Sequence, residues 1–119
     1  MTKPIAIQGI KGSFHHEVAQ QYFNTDSDVV ECMSFDNAVD SLLHGDTDYI
    51  VMALENSIAG SIIPNYALID NYNLSVVGEY YLDVQHNLMA LKGQSMLEIK
   101  EVHSHPMALL QCKVFFKDF

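Results

Sequence analysis

Apolar and polar positions along the first half of the chain predict strands and helices in turn. Short apolar runs predict strands over residues 5–7, 28–32 and 49–54. Between them, apolar residues recur at helical spacing and predict amphipathic helices over 14–23 and 35–43. This order of strand, helix, strand, helix and strand is typical of an α/β fold with a parallel sheet.

The residues at the predicted boundaries agree with this interpretation. Ser13 and Ser34 stand just before the two helices, where a hydroxyl oxygen accepts a free amide of the first turn. Gly45 follows the second helix, where a left-handed residue is favoured. The run 49–54 is apolar almost throughout and therefore predicts a strand covered on both faces.

The second half predicts a third short helix and further strands. The helix is expected over 64–72, and strands are expected over 74–82, 87–91 and 99–103. Pro106 suits the first turn of a last helix, since that position needs no amide hydrogen. The apolar side of this helix is formed by Met107, Leu110, Val114 and Phe115.

The last residues predict that the chain is part of a longer domain. Residues 113–119 are apolar and helical in pattern, and they contain three phenylalanines. An exposed patch of this kind favours association. We therefore expect further chain to cover this helix.

Composition narrows the function classes. The 119 residues suffice for one domain, and the net charge is −9, with six scattered lysines and no arginine. Binding to nucleic acid or to an anionic membrane requires clustered cations, so we expect neither. Two cysteines are too few for a disulfide scaffold, and no apolar run approaches the roughly 20 residues of a membrane span. The first residues lack the apolar core of a signal peptide, so we expect a cytoplasmic protein.

Two loops follow strands at the predicted ligand-facing edge of the sheet. Residues 8–13 form a glycine-containing turn before a helix, where free amides and the helix dipole attract anions. The alternative is a plain turn whose glycines supply tight backbone angles. Residues 55–61 combine a carboxylate, an amide, two hydroxyls and a glycine. The alternative for this loop is a polar connection that caps the next helix through Ser61.

A third polar segment lies at the predicted strand-to-helix junction near residue 104. Ser104 is predicted to cap the helix and to face a ligand. Gln111 follows seven residues later, two helical turns on, and so lies on the same helix face.

Histidines do not predict a metal site. His103 and His105 are close in sequence, as are His15 and His16, but no third ligand stands at a plausible interval. No Gly-x-Ser-x-Gly elbow supports a nucleophilic serine. We expect no metal and no cofactor.

Taken in order, these segments resemble the prephenate dehydratase family over nearly the whole chain. One such motif is weak, but their order and spacing together are specific. The matching segments are 9–14 (Gly-x-x-Gly-Ser-Phe), 55–61 (Glu-Asn-Ser-x-x-Gly-Ser), 77–79 (Val-Gly-Glu), 86–88 (His-x-Leu) and 104–112 (Ser-His-Pro-x-Ala-x-x-Gln-Cys). Two departures are residues 7–10, where many relatives have Leu-Gly-Pro, and His15, where a small polar residue is usual.

The resemblance implies a two-lobed fold like that of type II periplasmic binding proteins, with substrate held between the lobes. Residues 1–75 would form the first lobe (βαβαβα), and residues 76–119 would begin a second, incomplete lobe. The implied activity converts prephenate to phenylpyruvate, carbon dioxide and water in phenylalanine biosynthesis, and the implied assembly is a homo-oligomer. The family's catalytic threonine lies in a Thr-Arg-Phe motif that this sequence lacks. No catalytic residue is therefore assigned, and the isolated chain is expected to be inactive.

The resemblance also implies a set of binding residues. Asn56, Ser104 and Gln111 match positions that line the family's substrate cleft, and the amides of Gly12 and Ser13 would form an anion site. A structural hydrogen-bonding role is favoured for Glu55, because a carboxylate would repel a dianionic substrate. The alternative function is a non-catalytic module that binds a small acid or an amino acid.

Overall fold

A computed structural model describes residues 3–24, 26–58 and 60–118. The chain divides into two compact units, one reaching to Asp83 and the other beginning at Val84. The predicted lobes, residues 1–75 and 76–119, stay a prediction.

The first unit is an α/β structure, as predicted. Its elements alternate along the chain up to the third strand, a short hairpin follows, and a third helix closes the series. The bounds are β1 (Ile5–Gln8), α1 (Phe14–Tyr22), β2 (Val29–Cys32), α2 (Phe35–Leu43), β3 (Tyr49–Val51), β4 (Glu55–Asn56), β5 (Gly60–Ser61) and α3 (Ile63–Asn71).

The main sheet has three parallel strands in the order β2-β1-β3. Ala6 of the central strand pairs with Val30 on one side and with Ile50 on the other. Ile5, Ala6 and Ile7 are buried, and Ala6 joins Cys32 and Ala38 in the core cluster. The core of the first unit therefore lies around β1, which contains the apolar run 5–7 that predicted a strand.

The predicted helix caps are confirmed. The Ser13 hydroxyl accepts the His16 amide at the start of α1, and the Ser34 hydroxyl accepts the Asn37 amide at the start of α2. Gly45 has φ +81°, a left-handed conformation that glycine adopts without steric cost.

The third strand is shorter and less buried than predicted. β3 ends at Val51 rather than at residue 54, and it is an edge strand with Tyr49 44% exposed. An apolar run does not distinguish a central strand from an edge strand. The chain order of strands here differs from their order in the sheet, which places β1 and not β3 in the middle.

The strands predicted over 74–82, 87–91 and 99–103 are also wrong. Described residues from 74 onward form no strand; they contain a 3₁₀ turn at Met96–Glu98 and two short helices, α4 (Pro106–Gln111) and α5 (Lys113–Phe116). An apolar segment becomes a strand only when a neighbouring strand satisfies its backbone groups. The predicted helix start at Pro106 is confirmed.

The second unit has no fully buried residue among those described, 84–118. It contains an open cavity of about 300 Å³. That cavity is lined by Leu88, Met96, Ile99, Lys100, Val102, Leu109, Phe115 and Phe116. Phe115 remains 42% exposed, and Phe119, the last of the three predicted exposed phenylalanines, lies outside the described residues.

Among the described residues, no helix is long and apolar enough to cross a membrane.

Candidate binding site

The first glycine turn follows β1 and requires its glycines. Gly9 and Gly12 have φ of +101° and +94°, a region that side chains with a Cβ rarely adopt. The Gly9 amide donates to the Cys32 carbonyl oxygen at 2.8 Å, and the Ser13 amide donates to the Ile10 carbonyl oxygen at 3.0 Å. The turn therefore delivers the chain from the central strand into α1.

Other amides of this turn bond to side chains. The Lys11 amide donates to Oε2 of Glu31 at 2.7 Å, and the Gly12 amide donates to Nδ1 of His16 at 2.8 Å. The turn thus binds one carboxylate from within the chain. A bound anion would have to displace His16 from the Gly12 amide, and the anion site at Gly12 and Ser13 stays a prediction.

The second loop is a small antiparallel hairpin. Glu55 pairs with Ser61 and Asn56 pairs with Gly60 across β4 and β5. The Asn56 side-chain oxygen Oδ1 accepts the Ile58 amide at 2.9 Å, which folds the loop back on itself. Ala59, at a variable position of the predicted motif, lies outside the described residues.

Glu55 holds this hairpin together. Its carboxylate accepts the Ser61 hydroxyl at 3.0 and 3.2 Å and also accepts the Tyr66 hydroxyl from α3. The hydrogen bond to the Glu55 carboxylate raises the pKa of the Tyr66 phenol above its usual value. These contacts agree with the structural role favoured for Glu55. The alternative in which Ser61 caps α3 is wrong, because Ile62 stands at the cap position and makes no side-chain hydrogen bond there.

Asn65 anchors the same region and was not singled out by the sequence. It is 3% exposed, and its Nδ2 donates to the Ala53 carbonyl oxygen at 2.8 Å. The Ile62 amide donates to the adjacent Leu54 carbonyl oxygen at 2.8 Å. The only sequence signal is a polar residue directly after Pro64 at a predicted helix start.

The sheet brings the two loops to the same edge. They follow β1 and β3, which are adjacent parallel strands, so both leave the sheet at the carboxyl ends of its strands. Gly12, Ser13 and Asn56 therefore belong to one edge of the first unit. Ser104 and Gln111 lie in the second unit.

The predicted cap at Ser104 is wrong. α4 begins at Pro106, and the Nδ1 atom of the His105 side chain accepts the Met107 amide at 3.1 Å. Ser104 precedes the helix, so helical spacing does not place it on one face with Gln111. The substrate-binding role of Ser104 stays a prediction.

Gln111 is the last residue of α4, and its side chain is paired with a histidine. The Nε2 atom of His86 lies 2.5 Å from Oε1 of Gln111. His103 and His105, one of the two histidine pairs predicted not to bind metal, directly precede α4. The ring nitrogen Nε2 of His103 lies 3.2 Å from Oε2 of the exposed Glu101. Within the described ranges, no group of three or more His, Cys, Asp or Glu residues could hold a metal ion.

His15 is packed rather than solvent-facing. Its ring meets that of Phe35 edge to face, with centroids 5.2 Å apart, and its buried Nε2 has no hydrogen-bond partner among the described residues. Burial lowers the pKa of His15, because desolvation disfavours the charged imidazolium. This departure from the family pattern thus joins α1 to α2.

Comparison with known proteins identifies relatives of the whole chain. The sequence profile of the family described as prephenate dehydratase matches residues 5–119. A bifunctional chorismate mutase/prephenate dehydratase of Buchnera aphidicola subsp. Schizaphis graminum is 36% identical over 114 residues, covering 93% of this chain and 30% of that protein. The arogenate dehydratase/prephenate dehydratase 2, chloroplastic, of Arabidopsis thaliana is 37% identical over 109 residues, covering 92% of this chain and 28% of that protein.

A further relative is the bifunctional chorismate mutase/prephenate dehydratase of Escherichia coli K12, 33% identical over 118 residues, or 97% of this chain and 31% of that protein. The chain spans about 30% of the length of these curated relatives. No solved structure matches it. The profile match covers 115 of the 119 residues, positions 5 to 119, and the chain belongs to the prephenate dehydratase family.

Proposed function

We propose that this chain forms part of an enzyme that converts prephenate to phenylpyruvate, carbon dioxide and water. The observation that supports this proposal is the family match across residues 5–119. Because the chain spans only about 30% of its relatives, we propose that it supplies substrate contacts and that the isolated chain is inactive. The Thr-Arg-Phe motif of the resemblance is absent from the sequence, so no proton donor is assigned here.

The chemistry of the reaction suits the residues proposed to bind substrate. Prephenate carries two carboxylates and a ring hydroxyl, and formation of the aromatic ring drives loss of carbon dioxide and of the hydroxyl. The protein must orient the dianion and leave the ring carboxylate able to depart. Neutral donors such as Asn56, Ser104 and Gln111 hold a carboxylate less tightly than a cation would. The amides of Gly12 and Ser13 are proposed to contact the second carboxylate.

The finer architecture belongs to the same proposal. We propose that residues 1–75 form the first lobe of a type II periplasmic-binding-protein-like fold and that residues 76–119 begin a second, incomplete lobe. A homo-oligomer and a cytoplasmic location are proposed with them, although two plant relatives are named chloroplastic. Sedimentation velocity and cell fractionation test the last two points.

The experiment measures phenylpyruvate release from prephenate. The samples are the 119-residue chain and a chimera in which this chain replaces the matching segment of the E. coli relative. We expect turnover by the folded chimera and none by the isolated chain. Asn56→Ala in the chimera should lower turnover, whereas Asn71→Ala, an exposed asparagine at the end of α3, should leave it unchanged.

Two other outcomes have distinct meanings. A folded chimera that binds prephenate without turnover favours the alternative, a non-catalytic module that binds a small acid or amino acid. Arogenate is assayed in parallel, because several relatives are named for arogenate as well as for prephenate. Faster turnover of arogenate than of prephenate would change the assigned substrate but not the reaction class.

A further inference from the structure

The contact between His86 and Gln111 joins two segments that lie 25 positions apart in sequence. His86 lies near the start of the second unit, in a stretch without helix or strand, and Gln111 ends α4. The histidine Nε2 meets the glutamine oxygen Oε1, which is an acceptor only. In this orientation of the Gln111 amide the ring nitrogen is the donor, which requires the His86 tautomer with its proton on Nε2.

This contact selects one of two orientations of the Gln111 amide. A glutamine side chain presents a carbonyl oxygen at one side and an NH₂ group at the other. With Oε1 engaged by His86, the NH₂ group is the part left for a ligand. Among the residues that the structure describes, no hydrogen bond is made by Nε2 of Gln111.

The other amide proposed to contact substrate also has its carbonyl oxygen engaged. Oδ1 of Asn56 accepts the Ile58 amide at 2.9 Å. In both units, an internal donor therefore occupies the carbonyl oxygen of the predicted binding residue. This arrangement suits an anion, since a carboxylate accepts hydrogen bonds from N–H groups and is repelled by a carbonyl oxygen.

We propose that His86 is a positioning residue that holds the Gln111 amide so that its NH₂ group donates to a carboxylate of the substrate. The inference rests on the proposed function and adds a residue to it. His86 acts through Gln111 and not on the reacting atoms. Loss of its N–H lets the amide rotate, so that the Gln111 oxygen can face the anion.

The first test needs no ligand. In the ¹⁵N-labelled chain, His86 Nε2 should give the signal of a protonated ring nitrogen. His86→Ala should move the Gln111 side-chain NH₂ signals, which are assigned by their disappearance in Gln111→Glu. His103→Ala is the control, because His103 is an exposed histidine of the same unit that contacts Glu101 instead. Unmoved Gln111 signals in His86→Ala would overturn the pairing.

The second test titrates prephenate into the same samples. Loss of one such hydrogen bond should weaken binding about five-fold in His86→Ala and in Gln111→Ala. The double variant should bind no more weakly than Gln111→Ala alone, because His86 acts through Gln111. His86→Gln retains an N–H donor and should recover most of the affinity, and His103→Ala should bind as the unchanged chain does.

The outcomes separate this inference from the proposed function. Binding by the unchanged chain together with equal binding by His86→Ala overturns the positioning role alone. Additive losses in the double variant do the same, since they mean independent contacts. If the unchanged chain shows no prephenate-induced shifts, the proposed substrate contacts fail, and the positioning role fails with them.

Discussion

The buried side-chain amide of Asn65 donates a 2.8 Å hydrogen bond to the carbonyl oxygen of Ala53. This bond connects the first turn of α3 to the segment between β3 and the Glu55–Ser61 hairpin. The bond satisfies a backbone carbonyl in the segment that follows the edge strand β3. The position of Asn56 at that edge therefore depends on a residue nine positions further along the chain.

Asn65→Ala should lower the free energy of unfolding by about 1–3 kcal/mol. The substitution leaves the partly buried Ala53 carbonyl without its partner, and an unpaired buried group costs about this much. Urea denaturation followed by circular dichroism measures the change. Asn71→Ala, exposed at the other end of the same helix, should cost less than about 0.5 kcal/mol. Equal effects of the two substitutions would contradict the anchoring role.

The Ser41 and Thr47 hydroxyls should show an asymmetric response. Ser41 Oγ donates to the Ala38 carbonyl oxygen at 2.7 Å and lies 3.0 Å from Oγ1 of Thr47, so Thr47 donates to Ser41. Thr47 is 1% exposed. Thr47→Val removes one hydrogen bond at constant shape and should cost about 1 kcal/mol. Ser41→Ala leaves the buried Thr47 hydroxyl unpaired and should cost about 1–3 kcal/mol.

The double variant decides whether this explanation is right. Ser41→Ala with Thr47→Val removes both hydroxyls and therefore leaves no unpaired donor. It should be no less stable than Ser41→Ala alone. Summed single-variant losses, measured by the same urea titration, would show that the two hydroxyls act independently.

His15 should make the first unit less stable in mild acid. Burial holds its folded-state pKa below the unfolded value of about 6.5, so the unfolded chain binds a proton more readily. Its contribution to stability is present above the unfolded pKa and is lost as the pH falls toward the folded pKa. His15→Phe keeps a ring against Phe35 and should flatten the stability profile as the pH falls below about 6.5.

Exposed His44 provides the matched control for that profile. His44→Gln should retain the fall in stability with acid. Urea midpoints recorded across the pH range measure it for all three proteins. An unchanged slope in His15→Phe would assign the acid sensitivity to another group.

Tyr66 should titrate above the usual range of a tyrosine, and Glu55 should be the reason. The carboxylate accepts the phenol hydrogen, which stabilises the protonated phenol and raises its pKa. Glu55→Gln should therefore lower the pKa of Tyr66 toward the ordinary value of about 10. Ultraviolet difference titration measures the shift, with Tyr66→Phe identifying the signal among the six tyrosines. A Tyr66 pKa that Glu55→Gln leaves unchanged would place the cause elsewhere.

Local rules succeeded where one segment supplies both sides of an interaction. Ser13 and Ser34 cap helices whose first turns follow them directly, and Gly45 adopts the left-handed conformation that its position after α2 favours. The same reasoning failed at Ser104, because His105 lies closer to the helix that begins at Pro106 and accepts the amide instead.

Predictions also failed where the outcome depended on a partner distant in sequence. The apolar runs beyond residue 73 have strand-like composition, yet the described residues there find no strand to pair with. Asn65 and His86 were missed as supporting residues because their partners, Ala53 and Gln111, lie 12 and 25 positions away. Neither pair has a spacing that identifies it.

The sequence by itself determined the family, the α/β class of the first unit and the helix caps, because motif order, hydrophobic period and capping chemistry are properties of neighbouring residues. Only the tertiary structure decided that β1 is the central strand and that both loops leave one sheet edge. It also decided which side chains occupy the amides of the glycine turn and which histidine holds Gln111. The physical reason is that hydrogen bonds and burial between distant segments depend on how the chain folds back on itself, and no local pattern records that path.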